Sequence, residues 1–359
     1  MDSVERVRAA LGFRQPDRIP WYFNSFWPQF VDAWRQQKEM PATVSIDDYY
    51  AIDMGRVIPD EAPFPSQRQV LADQDGYQIV RNGWGAIERR PRGDAWLSPP
   101  MTLEVALPDK ARVDMLQFES PMLDSRYPPQ HEVEELKQRK YVFVKVGGPY
   151  LRAGNFRGPA QWLVDLVEDP NFALELSLRV TEHIVAVGLE ALRRYDLYDT
   201  AIWIYDDMGS NHGPMFSPRT FERVFLPCYS RMCTAFREAG VANVGLHCDG
   251  NVEAILDMLL DAGIDTLNPV EPKANMDVVA LRERYGDRLA FVGGLDNAHV
   301  LPRGNRYELE RHFLRAVSAA REGGLVVGAH SVGPDISVET MDFLHRLVVD
   351  LGRYPLVCV

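Results

Sequence analysis

A histidine and a carboxylate, His247 and Asp249, stand two residues apart near the end of one apolar run, and Gly250 follows at once. On an extended strand, positions i and i+2 point to the same side. The pair could therefore hold a metal ion or exchange a proton with a substrate. The plainer role is a satisfied polar pair capping a helix that starts near Asn251. Cys248, between them, should face the other way, into packing. A second histidine, His330, ends another apolar run in VVGAHSVGPD, with small neighbours that leave room for a ligand. Its plainer role is a core histidine bonded to a backbone carbonyl. Asp206 and Asp207 follow IWIY. Adjacent strand residues face opposite ways, so one of the two should enter a site while the other caps or bridges.

Trp21, Tyr22, Phe23, Phe26 and Trp27 make a dense aromatic group. Alternate members of the first strand must be core. Phe26 and Trp27 lie beyond that strand and suit an apolar wall for substrate, with ordinary packing as the competing role. Arg152 and Arg157, in GGPYLRAGNFRG, read as loop residues able to meet an anion, or simply as surface arginines.

The elements that must position these groups alternate from about Tyr141 onward. Short β-branched or aromatic runs (YVFVKVGGP, TAIWIYDD, VANVGLHCDG, DTLNPVEP, LAFVGGLDN, LVVGAHSVGPD) are separated by stretches of helical period. Those stretches include Asn171 to Arg194, Ser217 to Ala239, Asn251 to Ala262 and Arg306 to Arg321. Strand–helix repetition of this kind means a parallel sheet. No GxGxxG follows an early strand, which removes the best sign of an open dinucleotide-binding sheet. Polar groups gather where the apolar runs end: Asp206 and Asp207, His247 and Asp249, Asn268 and Glu271, Asp296 and Asn297, His330 and Ser331. A closed α/β barrel collects all such ends at one rim, the place of the active site in that architecture. An enzyme is therefore the leading reading.

Earlier in the chain, MDSVERVRAALGF reads as a helix capped by Asp2 or Ser3, with Val4, Val7 and Leu11 on one face, and not as a signal peptide. IPWYF, at residues 19–23, reads as the first strand. Residues 59–127, rich in proline and glycine around strand-like pieces such as YQIVRNGWGAIERR, are too long for a plain loop. They are expected to form an elaboration with antiparallel β-structure over the barrel mouth.

Composition narrows the partners. Hydrophobic residues are 46% and charged residues 25%, which suits a globular domain. Lys plus Arg is 39 and Asp plus Glu 51, so the formal charge is 39 − 51 = −12. Such an acidic chain lacks the positive footprint that nucleic acid or an anionic membrane needs. The four cysteines (Cys228, Cys233, Cys248, Cys358) form no CxxC, which suits buried thiols in a reducing cytoplasm.

The pieces ERVRAALGFRQPDRIP, VGGPYLRA, DDMGSNHGPMFSP, LHCDGNV, LNPVEPKANMD, YGDRLAFVGGLD and GAHSVGPDISVE occur in an order that resembles the uroporphyrinogen decarboxylase superfamily across nearly the whole chain. The resemblance implies a single-domain (β/α)8 TIM barrel with its site at the C-terminal rim. That superfamily holds porphyrin decarboxylases and also zinc-dependent methyltransferases that serve corrinoid proteins. True decarboxylases carry an arginine-rich MRQAGRY segment after the first strand; here the matching stretch is WYFNSFW, with no arginine. The mouth is thus expected to be neutral or acidic, unsuited to a porphyrinogen bearing about eight carboxylates. Asn155 takes the place of the decarboxylase tyrosine and Asp207 that of its serine, whereas His330 and Asp53 match its histidine and aspartate.

The methyltransferase branch implies zinc held by an HxC pair and a later cysteine. His247 matches the histidine, Asp249 occupies the first cysteine position and His330 the second. The resemblance therefore implies a metal or acid–base centre of His247, Asp249 and His330, with Asp207 also in a catalytic role. Phe26, Trp27, Asp53, Asn155 and Asp206 would contact substrate. The activity it implies is transfer of a methyl group from a small methylated compound to a corrinoid on a separate protein. Alternatives are a decarboxylase of a smaller, less charged acid and a non-catalytic ligand-binding barrel.

Overall fold

A computed structural model of the protein describes residues 1–92 and 100–356; Cys358 and residues 93–99 of the elaborated segment lie outside the described residues. Eight short runs of largely apolar residues form parallel strands. They are β1 (Trp21–Phe26), β2 (Met54–Val57), β3 (Tyr141–Gly147), β4 (Ala201–Tyr205), β5 (Asn243–His247), β6 (Thr266–Asn268), β7 (Ala290–Gly294) and β8 (Leu325–Val332). They pair in chain order from β2 to β8, and β8 returns to β1 with Trp21 opposite Val327 and Phe26 opposite Val332. Between β1 and β2 the described residues form no ladder; one backbone bond, from the Asp53 amide to the Trp21 carbonyl, spans that seam. With helices between the strands, this is the (β/α)8 TIM barrel that the polar strand ends favoured and the resemblance implied.

The first helix, α1 (Ser3–Leu11), starts on a capping box in which the Asp2 carboxylate accepts from the Glu5 amide at 2.8 Å and Glu5 accepts from the Asp2 amide. The helical periods starting near Asn171 and Arg306 emerge as Pro170–Tyr195 and Arg306–Val317. GGPYLRAGNFRG, read as a loop, is instead largely a helix, Pro149–Arg157, with Pro149 at its first turn. Helix α2 (Pro28–Lys38) follows β1, α3 (Pro149–Arg157) follows β3, and α4 (Pro170–Tyr195) precedes β4. Among the described residues no helix is long and apolar enough to cross a membrane.

Aromatic rings fill the barrel below the rim. Phe143 and Trp203 stack at 4.3 Å, and Tyr22 meets both edge-on at 5.9 and 6.1 Å. Gly245 faces this layer because a Cβ there would stand 2.6 Å from the Trp203 indole. The elaborated segment between β2 and β3 holds a four-stranded antiparallel sheet: Gln69–Gln74, Tyr77–Arg81, Ile87–Pro91 and Met101–Glu104. It is fastened from within by Arg126, which donates to the carbonyls of Asp60, Ala62, Glu119 and Ser120. His183 of α4 ties it to the barrel by donating to the Glu61 carbonyl at 3.1 Å.

Candidate metal centre at the barrel rim

His247 ends β5 and His330 lies near the end of β8, with β6 and β7 between them in the sheet. Barrel curvature brings their ring centroids to 5.4 Å. Asp249 follows β5, and its Oδ1 stands 3.5 Å from His247 Nε2 and 3.6 Å from His330 Nε2. One ligand atom from each of the three residues falls within 4.8 Å of the others. In a tetrahedral site with bonds of about 2.1 Å, ligand atoms stand about 3.4 Å apart, so the trio is spaced to hold a metal ion.

Two further observations fit a cation. Asp249 Oδ1 is shielded from solvent and has no hydrogen-bond partner, an expensive state for a carboxylate oxygen. Next, His247 Nδ1 lies 2.5 Å from Asn268 Oδ1, while Asn268 Nδ2 donates to the Val292 carbonyl at 2.8 Å. The Asn268 oxygen must then accept, so Nδ1 carries the proton and Nε2 presents a lone pair to the rim. A lone pair on nitrogen thus faces an orphaned carboxylate oxygen with no proton assigned between them. The first amide of the helix that follows, that of Glu253, is met by Asn251 Oδ1 at 2.9 Å rather than by Asp249.

Burial, and then His330, hold His247 down to about 3, which keeps it neutral as a ligand must be. Burial also lowers His330. Burial, with Asp207 and Glu271 close by, lifts Asp249 to about 7. A bound cation would reverse that last effect by favouring the charged carboxylate.

Asp207 joins the trio. Its half-exposed carboxylate accepts from the Asp249 amide at 3.1 Å and lies 3.9 Å from His247 Nε2. Trp27 stays at the rim, its amide on the Val332 carbonyl and its indole against Gly333, just past His330. Cys248 turns into packing as expected, its sulfur accepting from the Met208 amide.

Four other candidates are placed elsewhere. Asp206 is fully buried and accepts from the Tyr150 and Leu151 amides and the Tyr229 hydroxyl. It caps α3 from beneath and has no free oxygen for substrate. Asp53 precedes β2, so it lies at the opposite end of the barrel, buried between Arg6 and Arg18. Phe26 belongs to β1, which runs three residues beyond the expected IPWYF, and it packs outward on Phe30 and Tyr50. Asn155 sits about 9 Å along α3 from the rim and lines a cavity of about 850 Å3 between that helix and the antiparallel sheet. The two arginines are also committed. Arg152 pairs with Glu61, and Arg157 is buried on Asp165, not at the surface.

The sequence candidates omitted a second group around the trio. Tyr205 stacks on His247 at 4.1 Å and 12°, and its hydroxyl donates to Asn24 Oδ1 at 2.7 Å. Lys145 Nζ lies 4.1 Å from the centroid of the same tyrosine ring. Arg56 donates to Asn24 Oδ1 and to the Tyr22 hydroxyl. The mouth is therefore of mixed charge: cations stand beside Asp207 and Asp249, where a neutral or acidic lining was expected. One signal was available, since alternation along β3 places Phe143, Lys145 and Gly147 on the inward face.

A family model described as uroporphyrinogen decarboxylase (URO-D) matches residues 130–351. No curated protein matches the chain. Among solved structures, a methyltransferase from Methanosarcina mazei superposes with a TM-score of 0.69 at 15% identity, covering 98% of this chain and 99% of that one. At that identity the likeness speaks for the fold alone. A B12-independent methionine synthase from Shewanella sp. W3-18-1, in complex with selenomethionine, matches at 12% identity over 95% of this chain and 98% of that one. Its TM-score of 0.44 is too low to carry weight.

Proposed function

The chain belongs to the uroporphyrinogen decarboxylase family, and from that premise we propose that it is a cytoplasmic, one-domain methyltransferase of the superfamily. It takes a methyl group from a small methylated compound and passes it to a corrinoid carried by a separate protein. The observation that carries this reading is the orphaned Asp249 oxygen set 3.5 and 3.6 Å from two histidine nitrogens. His247, Asp249 and His330 would hold Zn2+ and leave a position open for substrate. When bound, the ion supplies Lewis acidity that polarises an ether or alkoxide oxygen or lowers the pKa of a thiol. A carboxylate and an imidazole where relatives are expected to have thiolates make a harder donor set, which suits an oxygen substrate.

The chain's own residues supply the rest. Asn268 fixes the His247 tautomer, and the Tyr205 ring covers one face of that imidazole and keeps water from it. Asp207, half-exposed beside the trio, accepts a hydrogen bond from a substrate hydroxyl. Trp27 offers an apolar flank next to β8.

Elemental analysis tests the centre. Protein purified without chelator, then supplemented with zinc, should hold about one Zn2+ per chain, as a three-ligand catalytic site does. His247→Ala and His330→Ala should each lose the metal and the demethylation activity while keeping the fold. Metal-free protein that still turns over would make the trio acid–base machinery and sink the zinc reading. Tight binding of a porphyrinogen followed by CO2 release would sink methyl transfer itself.

A further inference from the structure

We propose that the substrate of this rim bears a single carboxylate and that Lys145, backed by Arg56, receives it. This rests on the reading of the rim as the substrate site, and neither on zinc nor on methyl transfer.

Of the six lysines in the chain, five are ion-paired with carboxylates: Lys38 with Asp342, Lys110 with Asp165, Lys137 with Glu134, Lys140 with Asp48 and Lys273 with Glu271. Among the described residues Lys145 alone has no such partner. It is also the lysine on the inward face of a barrel strand, level with Trp203 of β4. A half-buried ammonium without a counter-ion is costly. Burial, then Arg56 and Arg152, pull Lys145 down to about 8. Arg56 adds a second positive charge, and the groups it donates to, on Asn24 and Tyr22, are neutral. An arriving carboxylate would supply the missing counter-ion.

Position and neighbours set the class of ligand. The Tyr205 ring is shared by Lys145 and by His247, so a group held at Lys145 lies within one side chain of the trio. Asp207 and Asp249 border the same space and repel additional negative charge. A monoanion with an uncharged remainder is accommodated; a dianion or polyanion is not.

Calorimetric titration of chelator-treated protein with acetate and benzoate, their neutral amides acetamide and benzamide, and inorganic phosphate tests the proposal. At least one carboxylate should bind about tenfold more tightly than its amide, the scale of one charge-assisted hydrogen bond. Lys145→Gln should remove that preference, and Lys145→Arg should keep most of it, with melting curves confirming that both variants fold. Equal binding of carboxylate and amide overturns the proposal, as does a preference that survives Lys145→Gln. Tighter binding of phosphate, or no binding of either carboxylate, does the same. Because no metal or turnover enters the assay, failure here leaves the zinc reading standing, and failure of the zinc reading leaves this result standing.

Discussion

The side-chain oxygen of Asn268 lies 2.5 Å from His247 Nδ1, and the nitrogen of the same amide is committed to the Val292 carbonyl. A residue on β6 thus sets which nitrogen of a residue on β5 faces the rim. Partners of this kind typically change metal affinity by about 10- to 100-fold. Asn268→Ala should therefore weaken zinc binding by about that factor, read by competition with a chromogenic chelator. Asn268→Asp, which keeps an acceptor, should recover most of it. Unchanged affinity in the alanine variant would mean that His247 needs no such orientation.

Asp249 is the ligand whose replacement should move affinity in both directions. Asp249→Asn removes the charge and should lower zinc occupancy. Asp249→Cys presents a softer thiolate at the same place and should bind zinc about tenfold or more tightly. If the asparagine and cysteine variants hold zinc equally, the residue at 249 is not a ligand.

Asp53 separates a structural carboxylate from a catalytic one. It is fully buried against Arg6 and Arg18 and also accepts from the Trp21 amide and the Ser3 hydroxyl. Breaking a buried pair from one side leaves uncompensated charge and costs about 3–5 kcal/mol. Asp53→Ala should lower stability to urea by about that amount while the surviving folded protein keeps its zinc. Full stability with lost substrate binding would return Asp53 to the site.

His183 makes the fold sensitive to acid. Burial, and then the Arg126 cation, hold it down to about 4, against an ordinary value of 6.5. Between those two values the unfolded chain binds a proton that the native state refuses, so stability falls as pH falls through that window. By pH 5 this residue's share is about 2 kcal/mol. His183→Gln keeps a donor for the Glu61 carbonyl and should flatten the urea-midpoint profile between pH 7 and 5. A wild-type slope retained in the variant would assign the sensitivity to other groups.

The rim was readable in the sequence because buried parallel strands advertise themselves as apolar runs, and His247, Asp249, His330 and Asp207 stand where such runs stop. Asp53 entered the candidate set through the match to the decarboxylase aspartate alone, and the local sequence could not correct it. The end of the barrel that a residue occupies depends on whether it precedes or follows its strand, and MGRV is too short to show that a strand begins after it. Phe26 was misread because the hydrogen bonds to β8 extend β1 past the apolar IPWYF into polar residues. Lys145 was passed over because its lack of an acidic partner depends on residues from other strands. That one of Asp206 and Asp207 would cap was legible from their adjacency on a strand; which of the two was not, since the helix that Asp206 caps follows a different strand.

The pairing of β1 with β8 also orders events in time. The first strand of the chain finds its ladder about 300 residues later, and closing so long a loop carries a large entropic cost with no local reward. During synthesis β1 waits with one edge bare, exposed to pairing with the wrong chain. His247 and Asp249 are made well before His330 emerges, so a nascent or truncated chain ending short of β8 can present two of the three ligands but never the trio. Metal uptake would thus report completed barrel closure, and damage near the C-terminus would register at the first strand as aggregation.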